Sequence, residues 1–287
     1  MCFLCLIFRV LVHGQIVMAL SAVCYVCVAG IYLQRAPISW LWASAAFFGT
    51  LGLYLLDSVR SSEREDAISQ PVRASWFRRY RALATIASLA SCTTALICVV
   101  LARPTWGGWC TLFVLASLGA SYLFPCIPWR RSWVTLKSFS YAKPVSISLA
   151  WLVGALLVGL ESGASPNSQN VTEHSLLFVL STLPLLLLDS IWLDRRDQVA
   201  DITYGHPTIS SGMSARWFQS LRAALWCLPL LILAFMPELW LPLLGLQMGS
   251  LCLVLIEPDR IASEIAQVIA ASTWRFSGLA AALIWIG

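Results

Sequence analysis

Three aspartates in the second half of the chain have the spacing needed to act together. Asp194, Asp197 and Asp201 lie at positions i, i+3 and i+7, which places their carboxylates within about 60° of one another on a helix of 3.6 residues per turn. Such like charges repel unless a divalent cation or cationic side chains offset the repulsion, and magnesium is held by a few carboxylates together with substrate phosphates. The cluster therefore predicts a site for a metal ion and a diphosphate.

A second acidic segment occupies residues 57–73. Its candidate metal ligands are Asp57, Glu65 and Asp66, and its arginines are Arg60, Arg64 and Arg73. One interpretation is a solvated loop beside the membrane, in which the arginines set topology and the acids balance them. The other is a second metal-binding cluster that faces the first, with basic side chains stabilising the charge that develops on a leaving group.

The segment between these two contains lysines close to a membrane boundary. Lys137 and Lys143 lie near Tyr141 in the stretch PWRRSWVTLKSFSYAK, residues 128–143. Lysine and tyrosine at such a boundary commonly anchor a helix at the interface. The functional alternative is a lysine that contacts a phosphate as a point charge.

The elements that carry these residues are apolar helices. Hydrophobic residues make up 59% of the 287-residue chain and charged residues only 11%, whereas a soluble domain has about 25% charged residues. The composition predicts an all-α integral membrane protein. The net charge of +5 is typical of basic cytoplasmic loops, and it does not indicate a nucleic-acid partner.

Apolar runs long enough to cross a bilayer of about 30 Å predict a bundle of nine spans. They cover residues 12–33, 38–56, 81–102, 106–124, 144–160, 174–193, 218–236, 239–256 and 261–286. The last run is interrupted by Glu264, Gln267 and Arg275. A cytoplasmic N-terminus places nearly all basic loop residues inside, which predicts a multi-pass protein of the plasma membrane or another inner membrane.

This topology puts the three polar segments on one face of the membrane. Residues 57–73, 128–143 and 194–208 all fall on the predicted cytoplasmic side. We therefore expect them to form one polar pocket that is capped by three loops and open to lipid.

The third polar segment resembles a family motif. The stretch DRRDQVADITYGHPTI, residues 194–209, is similar to the second aspartate-rich motif of the UbiA-type intramembrane prenyltransferases, in which a D-x-x-x-D pair precedes a Gly and a Thr. Asp197 and Asp201 match that pair, and Gly205 and Thr208 follow. Its place after the sixth predicted span also fits, and residues 121–144 resemble the family's loop after the fourth helix. The resemblance covers nearly the whole chain and implies one UbiA-like domain, residues 1–287.

The first acidic segment departs from the family pattern N-D-x-x-D-x-x-x-D. Asp66 matches the last aspartate, but Ser62 and Val59 occupy the two earlier positions, and Asp57 is one residue out of register. Three alternatives follow. The chain is a divergent enzyme that uses Asp57, Glu65 and Asp66, a relative with altered chemistry such as a membrane terpene cyclase, or an inactive relative.

For an active enzyme, the resemblance implies transfer of an isoprenyl group from its diphosphate to a lipophilic or aromatic acceptor through an allylic cation. Mg²⁺ is the implied cofactor. Its implied ligands are Asp57, Glu65, Asp66, Asp194, Asp197 and Asp201, and the carboxylates at 57, 66, 197 and 201 are the implied catalytic groups. Phosphate contacts are expected from Arg60, Arg64, Arg73, Lys137, Lys143 and Arg195. Candidates to stabilise the cation through their aromatic faces are Trp192, Tyr141 and Trp151.

Two other classes compete with an enzyme. A non-catalytic protein that binds a lipid or partner through its basic face would keep its function after Asp197→Asn or Asp201→Asn. A transporter is disfavoured because the predicted spans lack buried charges apart from Asp189, and they show no evident pair of broken helices.

Overall fold

The structure is a computed structural model that describes residues 11, 13–63, 65–129, 132–139, 141–162, 168–204, 208–233, 240–258, 261 and 263–286. Its helices are α1 Ile16–Gln34, α2 Trp40–Ser61, α3 Glu65–Ser69, α4 Pro71–Arg79, α5 Arg81–Ala102, α6 Trp106–Leu123, α7 Ala142–Glu161, α8 Ser168–Thr203, α9 Ala215–Leu233, α10 Trp240–Gly249, α11 Leu251–Leu255 and α12 Glu264–Ile286. A short antiparallel hairpin pairs β1 Ile127–Trp129 with β2 Ser132–Val134. Single 3₁₀ turns lie at Leu136–Ser138 and Ser210–Gly212.

Three of the helices begin at residues whose chemistry suits that position. The Ser39 hydroxyl accepts the N–H of Trp42 at the start of α2, and the Thr105 hydroxyl accepts the N–H of Gly108 at the start of α6. Such side-chain acceptors satisfy N–H groups that lack a partner within the helix. Pro71 opens α4, where its missing N–H costs nothing.

Seven of the described helices are long and apolar enough to cross a membrane: α1, α2, α5, α6, α7, residues Thr172–Thr203 of α8, and α12. The prediction of an all-α membrane protein is confirmed at this level. The predicted seventh span forms α9, which is less apolar because Arg216, Gln219 and Arg222 lie in its first half. The predicted eighth span divides at Ser250 into α10 and α11, so neither part alone reaches the length of a span.

Helix α1 lies at the centre of the bundle and packs against α2, α7 and α12. In its most apolar window 72% of the residues are buried. Small residues allow the close approach. A Cβ at Gly159 of α7 would lie 3.3 Å from the backbone of Ala29, so glycine permits contact that a larger residue would prevent. Small residues also allow α2 to pack closely against α5, where the Ser88 hydroxyl donates to the carbonyl of Gly52 at 2.8 Å.

Helix α6 is the least buried of the long helices. It packs against α7 and the 3₁₀ turn Leu136–Ser138, and only 11% of its apolar window is buried. Its N-terminus is fastened to the end of α7, because the N–H of Thr105 donates to a carboxylate oxygen of Glu161 at 2.9 Å. Helices α6 and α7 therefore form one wall of the bundle.

Helix α8 is a continuous helix of 36 residues. At 1.5 Å per residue it is about 54 Å long, which exceeds the bilayer core of about 30 Å. It joins the predicted sixth span to the acidic stretch without a break. The prediction that Asp194, Asp197 and Asp201 share one helical segment is therefore confirmed.

Candidate functional site

A cavity of about 530 Å³ lies among α1, α2, α5, α6 and α7. Along α2 its lining runs from Trp42 to Asp57, a rise of about 22 Å at 1.5 Å per residue. The walls are mainly apolar, with contributions from Leu53, Val99 and Leu112. Among the described lining residues, Asp57 is the charged one. The cavity has the shape and chemistry to hold an extended apolar chain with its polar end at Asp57.

Two tyrosines join this end of the cavity to the aspartates of α8. Tyr54, one turn before Asp57, and Tyr122, in the last turn of α6, both line the cavity. Tyr122 also interacts electrostatically with Asp57, Lys143 and Asp194. The polar end of the cavity is therefore adjacent to the acidic face of α8.

Lys143, in the first turn of α7, binds two of the three aspartates on that face. Its ammonium nitrogen lies 3.0 Å from Asp201 Oδ2 and 3.4 Å from Asp194 Oδ1. Both aspartates are 2% exposed, so water screens these interactions little. The second oxygen of Asp194, Oδ2, is buried and has no hydrogen-bond partner among the described residues.

Asp197, the third aspartate, is paired with its neighbour on α8. Arg196 donates through Nε to Asp197 Oδ1 and through a terminal nitrogen to Oδ2, both at 2.8 Å. This bidentate geometry fixes both side chains. The three aspartates of the motif thus have two different cationic partners, which their common helical face does not reveal.

The first acidic segment meets α8 through helix α3, which packs against it. Asp66 is buried and accepts hydrogen bonds from Ser61 at 2.7 Å and from Arg73 at 2.8 Å. Glu65 forms an ion pair with Lys137 of the middle segment at 3.2 Å, and it also interacts electrostatically with Asp201. The structure therefore brings together the three polar segments whose convergence the sequence predicts, although the acids of the first and third lie on helices rather than loops.

Other predicted site residues make different contacts. The Arg60 guanidinium lies over the Phe124 ring at 4.6 Å, and Tyr141 is 71% exposed. Arg195 donates to the carbonyl of Ser210 at 3.2 Å. Thr208 is buried and shares a hydrogen bond with the Ser210 hydroxyl at 3.0 Å. Arg64 and Gly205 lie outside the described residues.

The three aromatic residues predicted to stabilise a cation lie in different environments. Trp192 is fully buried, and its indole N–H donates to the carbonyl of Ile256 at 2.9 Å, which gives it a structural role. The exposed Tyr141 is not part of the cavity lining. Trp151 does line the cavity, and the Arg275 guanidinium lies 4.2 Å from its ring centroid.

Arg275 belongs to a buried ion pair that the sequence reasoning missed. It donates to the carboxylate of Asp189, and the two side chains are 1% and 5% exposed. Trp151 and Trp274 lie over the guanidinium at 4.2 and 4.4 Å. The expectation that the spans lack buried charges is therefore wrong. The sequence signal for this pair is an acidic residue in the predicted sixth span and a basic residue in the predicted ninth span.

Glu264 was also missed, since it appeared only as an interruption of the ninth span. Its carboxylate oxygens accept the N–H groups of Val72 at 3.1 Å and Arg73 at 3.0 Å. These groups lie in the first turn of α4, where a negative charge is favoured. Glu264 thereby holds the helix that carries Arg73, the partner of Asp66.

The donor groups bear on whether a magnesium ion fits this site. Among the described residues, no group of three or more His, Cys, Asp or Glu side chains could hold a metal ion. Magnesium, however, is usually bound by one or two carboxylates with water and substrate phosphates. Asp194 and Asp201 supply such a pair around Lys143, and the unpaired Oδ2 of Asp194 is a further donor. With phosphate oxygens completing its shell, these two carboxylates are the residues that would hold a magnesium ion here.

The fold and site define a membrane-embedded helical protein with a charged cluster at one end of an apolar cavity. Comparison of the chain with protein families, curated proteins and solved structures finds no match. The resemblance to UbiA-type prenyltransferases stays a prediction that rests on the residues of the motif.

Proposed function

We propose that the protein is a magnesium-dependent intramembrane prenyltransferase. It transfers an isoprenyl group from an isoprenyl diphosphate to a lipophilic or aromatic acceptor at the cytoplasmic face of the membrane. The observation that carries the proposal is the position of Tyr122, which lines the apolar cavity and interacts electrostatically with Lys143 and Asp194 of the charged cluster. A long apolar chain with an anionic head requires these two environments side by side.

The cavity supplies the binding energy for the chain. Burial of an apolar chain stabilises a complex by about 0.8 kcal/mol per CH₂ group, and the lining extends for about 22 Å along α2. The same walls keep water from the reacting carbon. Tyr54, Tyr122 and Trp151 contribute aromatic faces to the lining, and such faces stabilise a cation by about 0.5–2 kcal/mol.

The head group binds at the charged cluster. Lys143 turns from its carboxylates to the phosphate oxygens and contacts them as a point charge. Asp194 and Asp201 are the residues that would hold magnesium, which neutralises the charge developing on the leaving diphosphate. Lys137 and Arg73, from the two neighbouring polar segments, pair with Glu65 and Asp66 and provide further phosphate contacts.

A second candidate is a non-catalytic protein that binds a lipid with an anionic head. It is favoured by the pairing of the acids, because Asp66, Asp197 and Asp201 each already have a cationic partner. A protein of this kind would use the same cavity and the same lysine without breaking a bond. A membrane terpene cyclase would also use the cavity, but its product would form without a second substrate.

The test uses the full chain in lipid nanodiscs with labelled isoprenyl diphosphates of several chain lengths, lipid and aromatic acceptors, and magnesium or EDTA. We expect a metal-dependent transfer product from the wild type. Asp194→Asn and Asp201→Asn should lower its rate at least 100-fold, since each removes a charge that holds the metal. The matched control is Glu63→Gln, because Glu63 is exposed and its partner is Arg81 rather than a residue of the cluster.

The outcomes separate the candidates. Product that requires magnesium and an acceptor supports the transferase, whereas a cyclic product without an acceptor indicates the cyclase. Saturable binding of the diphosphate with no product at any chain length would overturn the enzymatic proposal in favour of lipid binding.

A further inference from the structure

Asp57 differs from every other candidate carboxylate of the site. The other five, Glu65, Asp66, Asp194, Asp197 and Asp201, each have a cationic nitrogen within 3.4 Å. Asp57 makes no hydrogen bond or ion pair with another residue of the described chain, and it alone among the six lines the cavity. An acid placed in this way is free to exchange a proton with a ligand.

Charged residues lie near Asp57 without contacting it directly. Lys137, Arg73, Asp66 and Glu65 interact with it electrostatically, and the Tyr54 and Tyr122 rings lie beside it in the cavity lining. The hydroxyl of the neighbouring Ser58 accepts a hydrogen bond from the Gln15 side chain at 3.1 Å. The carboxylate of Asp57 therefore faces the space in which the reacting end of a bound chain would lie.

We infer that Asp57 is the catalytic base of the cavity, which removes the proton that the acceptor loses during transfer. The inference rests on the proposed prenyltransferase function and gives Asp57 a role other than metal ligand. General bases must lie within reach of the proton they remove, and among the described carboxylates Asp57 is the one in the cavity itself. The charged cluster around Lys143 lies beyond Tyr122, where the leaving group binds.

The chemistry balances without a further reagent. The bond between the isoprenyl carbon and the bridging oxygen breaks, and its electron pair leaves with the diphosphate. The acceptor's electrons form a new bond to the isoprenyl carbon, either from an aromatic carbon or from a hydroxyl oxygen. The proton that this atom carried passes to the Asp57 carboxylate, and from there to water at the polar end of the cavity.

The role of base and the role of metal ligand predict different products for Asp57→Asn. If Asp57 is the base, ionisation of the diphosphate continues and water captures the cation. Diphosphate and an isoprenyl alcohol then appear in place of the transfer product. If Asp57 instead holds metal, release of diphosphate stops together with transfer, as it should in Asp194→Asn.

The experiment measures diphosphate, isoprenyl alcohol and transfer product in one assay for the wild type, Asp57→Asn, Asp57→Glu, Asp194→Asn and Glu63→Gln. For Asp57→Asn we expect transfer to fall at least 100-fold, the usual size of a general-base effect, while diphosphate release stays within about threefold. Asp57→Glu should restore part of the transfer rate. Equal loss of transfer and release, or full retention of transfer, would overturn the inference.

A second measurement does not depend on turnover. Dicyclohexylcarbodiimide is an apolar reagent that modifies carboxyl groups reachable from lipid, and peptide mapping by mass spectrometry locates the product. Asp57 should be modified at least tenfold faster than Asp66 or Asp201, and a bound isoprenyl diphosphate should protect it. Equal modification of the paired acids would contradict the structural premise.

The two measurements distinguish the possible failures. A wild type that neither releases diphosphate nor transfers the chain disproves the proposed function, and the base role falls with it, even if Asp57 is selectively labelled. A wild type that transfers the chain but whose Asp57→Asn variant behaves like Asp194→Asn disproves only the base role.

Discussion

The ammonium nitrogen of Lys143 lies 3.0 Å from Asp201 Oδ2, so the first turn of α7 is tied to the end of α8. The side chains of Lys143 and Asp201 are 15% and 3% exposed, so the aspartate is buried and the lysine stays partly accessible. The same lysine also reaches Asp194. One cation therefore holds two acids that would otherwise repel.

Lys143→Met should reduce both stability and diphosphate binding. It leaves Asp194 and Asp201 buried without their cation, and loss of one partner from a buried pair costs about 3–5 kcal/mol. Unfolding in mixed micelles and binding of labelled diphosphate measure the two effects. Lys143→Met with Asp201→Asn should recover part of the stability but not the binding. An unchanged unfolding curve for the single variant would show that the two acids do not depend on Lys143.

Removal of one member of the Asp189 and Arg275 pair should destabilise the bundle by about 3–5 kcal/mol, because the remaining charge is buried and uncompensated. We expect this from Asp189→Leu and from Arg275→Met when unfolding is followed in mixed micelles. The double variant should be closer to the wild type than either single variant. Arg78→Met is the control, since Arg78 is exposed. Additive losses in the double variant would contradict coupling of the pair.

Glu264→Ala should loosen the start of α4. Loss of the acceptor for the N–H groups of Val72 and Arg73 costs about 1 kcal/mol by analogy with other helix caps, and their amide hydrogens should exchange faster. Glu161→Ala is a matched control at the opposite end of the bundle, because it should speed exchange at Thr105 instead. Exchange at residues 72–73 that is equal in the two variants would argue against this capping role.

Gly154→Leu should fill the cavity without disturbing the fold. A Cβ at Gly154 meets no atom within 4 Å, and the residue lines the cavity. Replacement of a mid-helix glycine also favours the helix itself, by roughly 0.5–1 kcal/mol for alanine. We expect stable protein whose affinity falls more for long isoprenyl diphosphates than for short ones, measured by competition binding. Gly107→Leu on the exposed start of α6 should leave both affinities unchanged.

Local sequence patterns predicted the parts of the site that depend on one segment. The spacing of Asp194, Asp197 and Asp201 is a property of a single helix, and the alternation of apolar runs places their segment on the same side as Glu65 and Lys137. The choice of partners was not predictable in this way. Whether Lys143 contacts Asp201 or Asp197 depends on the rotation of α7 about its own axis, which packing against α1 and α8 determines.

Interactions between distant segments account for the remaining differences. Asp189 and Arg275 are far apart in the chain, and nothing local requires their contact. The division of the predicted eighth span has a similar origin. Gly249, just before the break, lies so close to α12 that a Cβ there would be 2.6 Å from the Cα of Trp274. A mean hydropathy over residues 239–256 contains no information about that contact.

The unbroken course of α8 fixes the distance between two charged groups of the bundle. Asp189 is fixed inside the bundle by Arg275, and Asp201 lies twelve residues further along the same helix, about 18 Å away. Because the helix fixes this separation, we expect a thicker bilayer to draw the charged cluster towards the hydrocarbon and a thinner one to expose it to the headgroups. The length of one helix thus sets the depth of the charged cluster relative to the buried ion pair of Asp189 and Arg275.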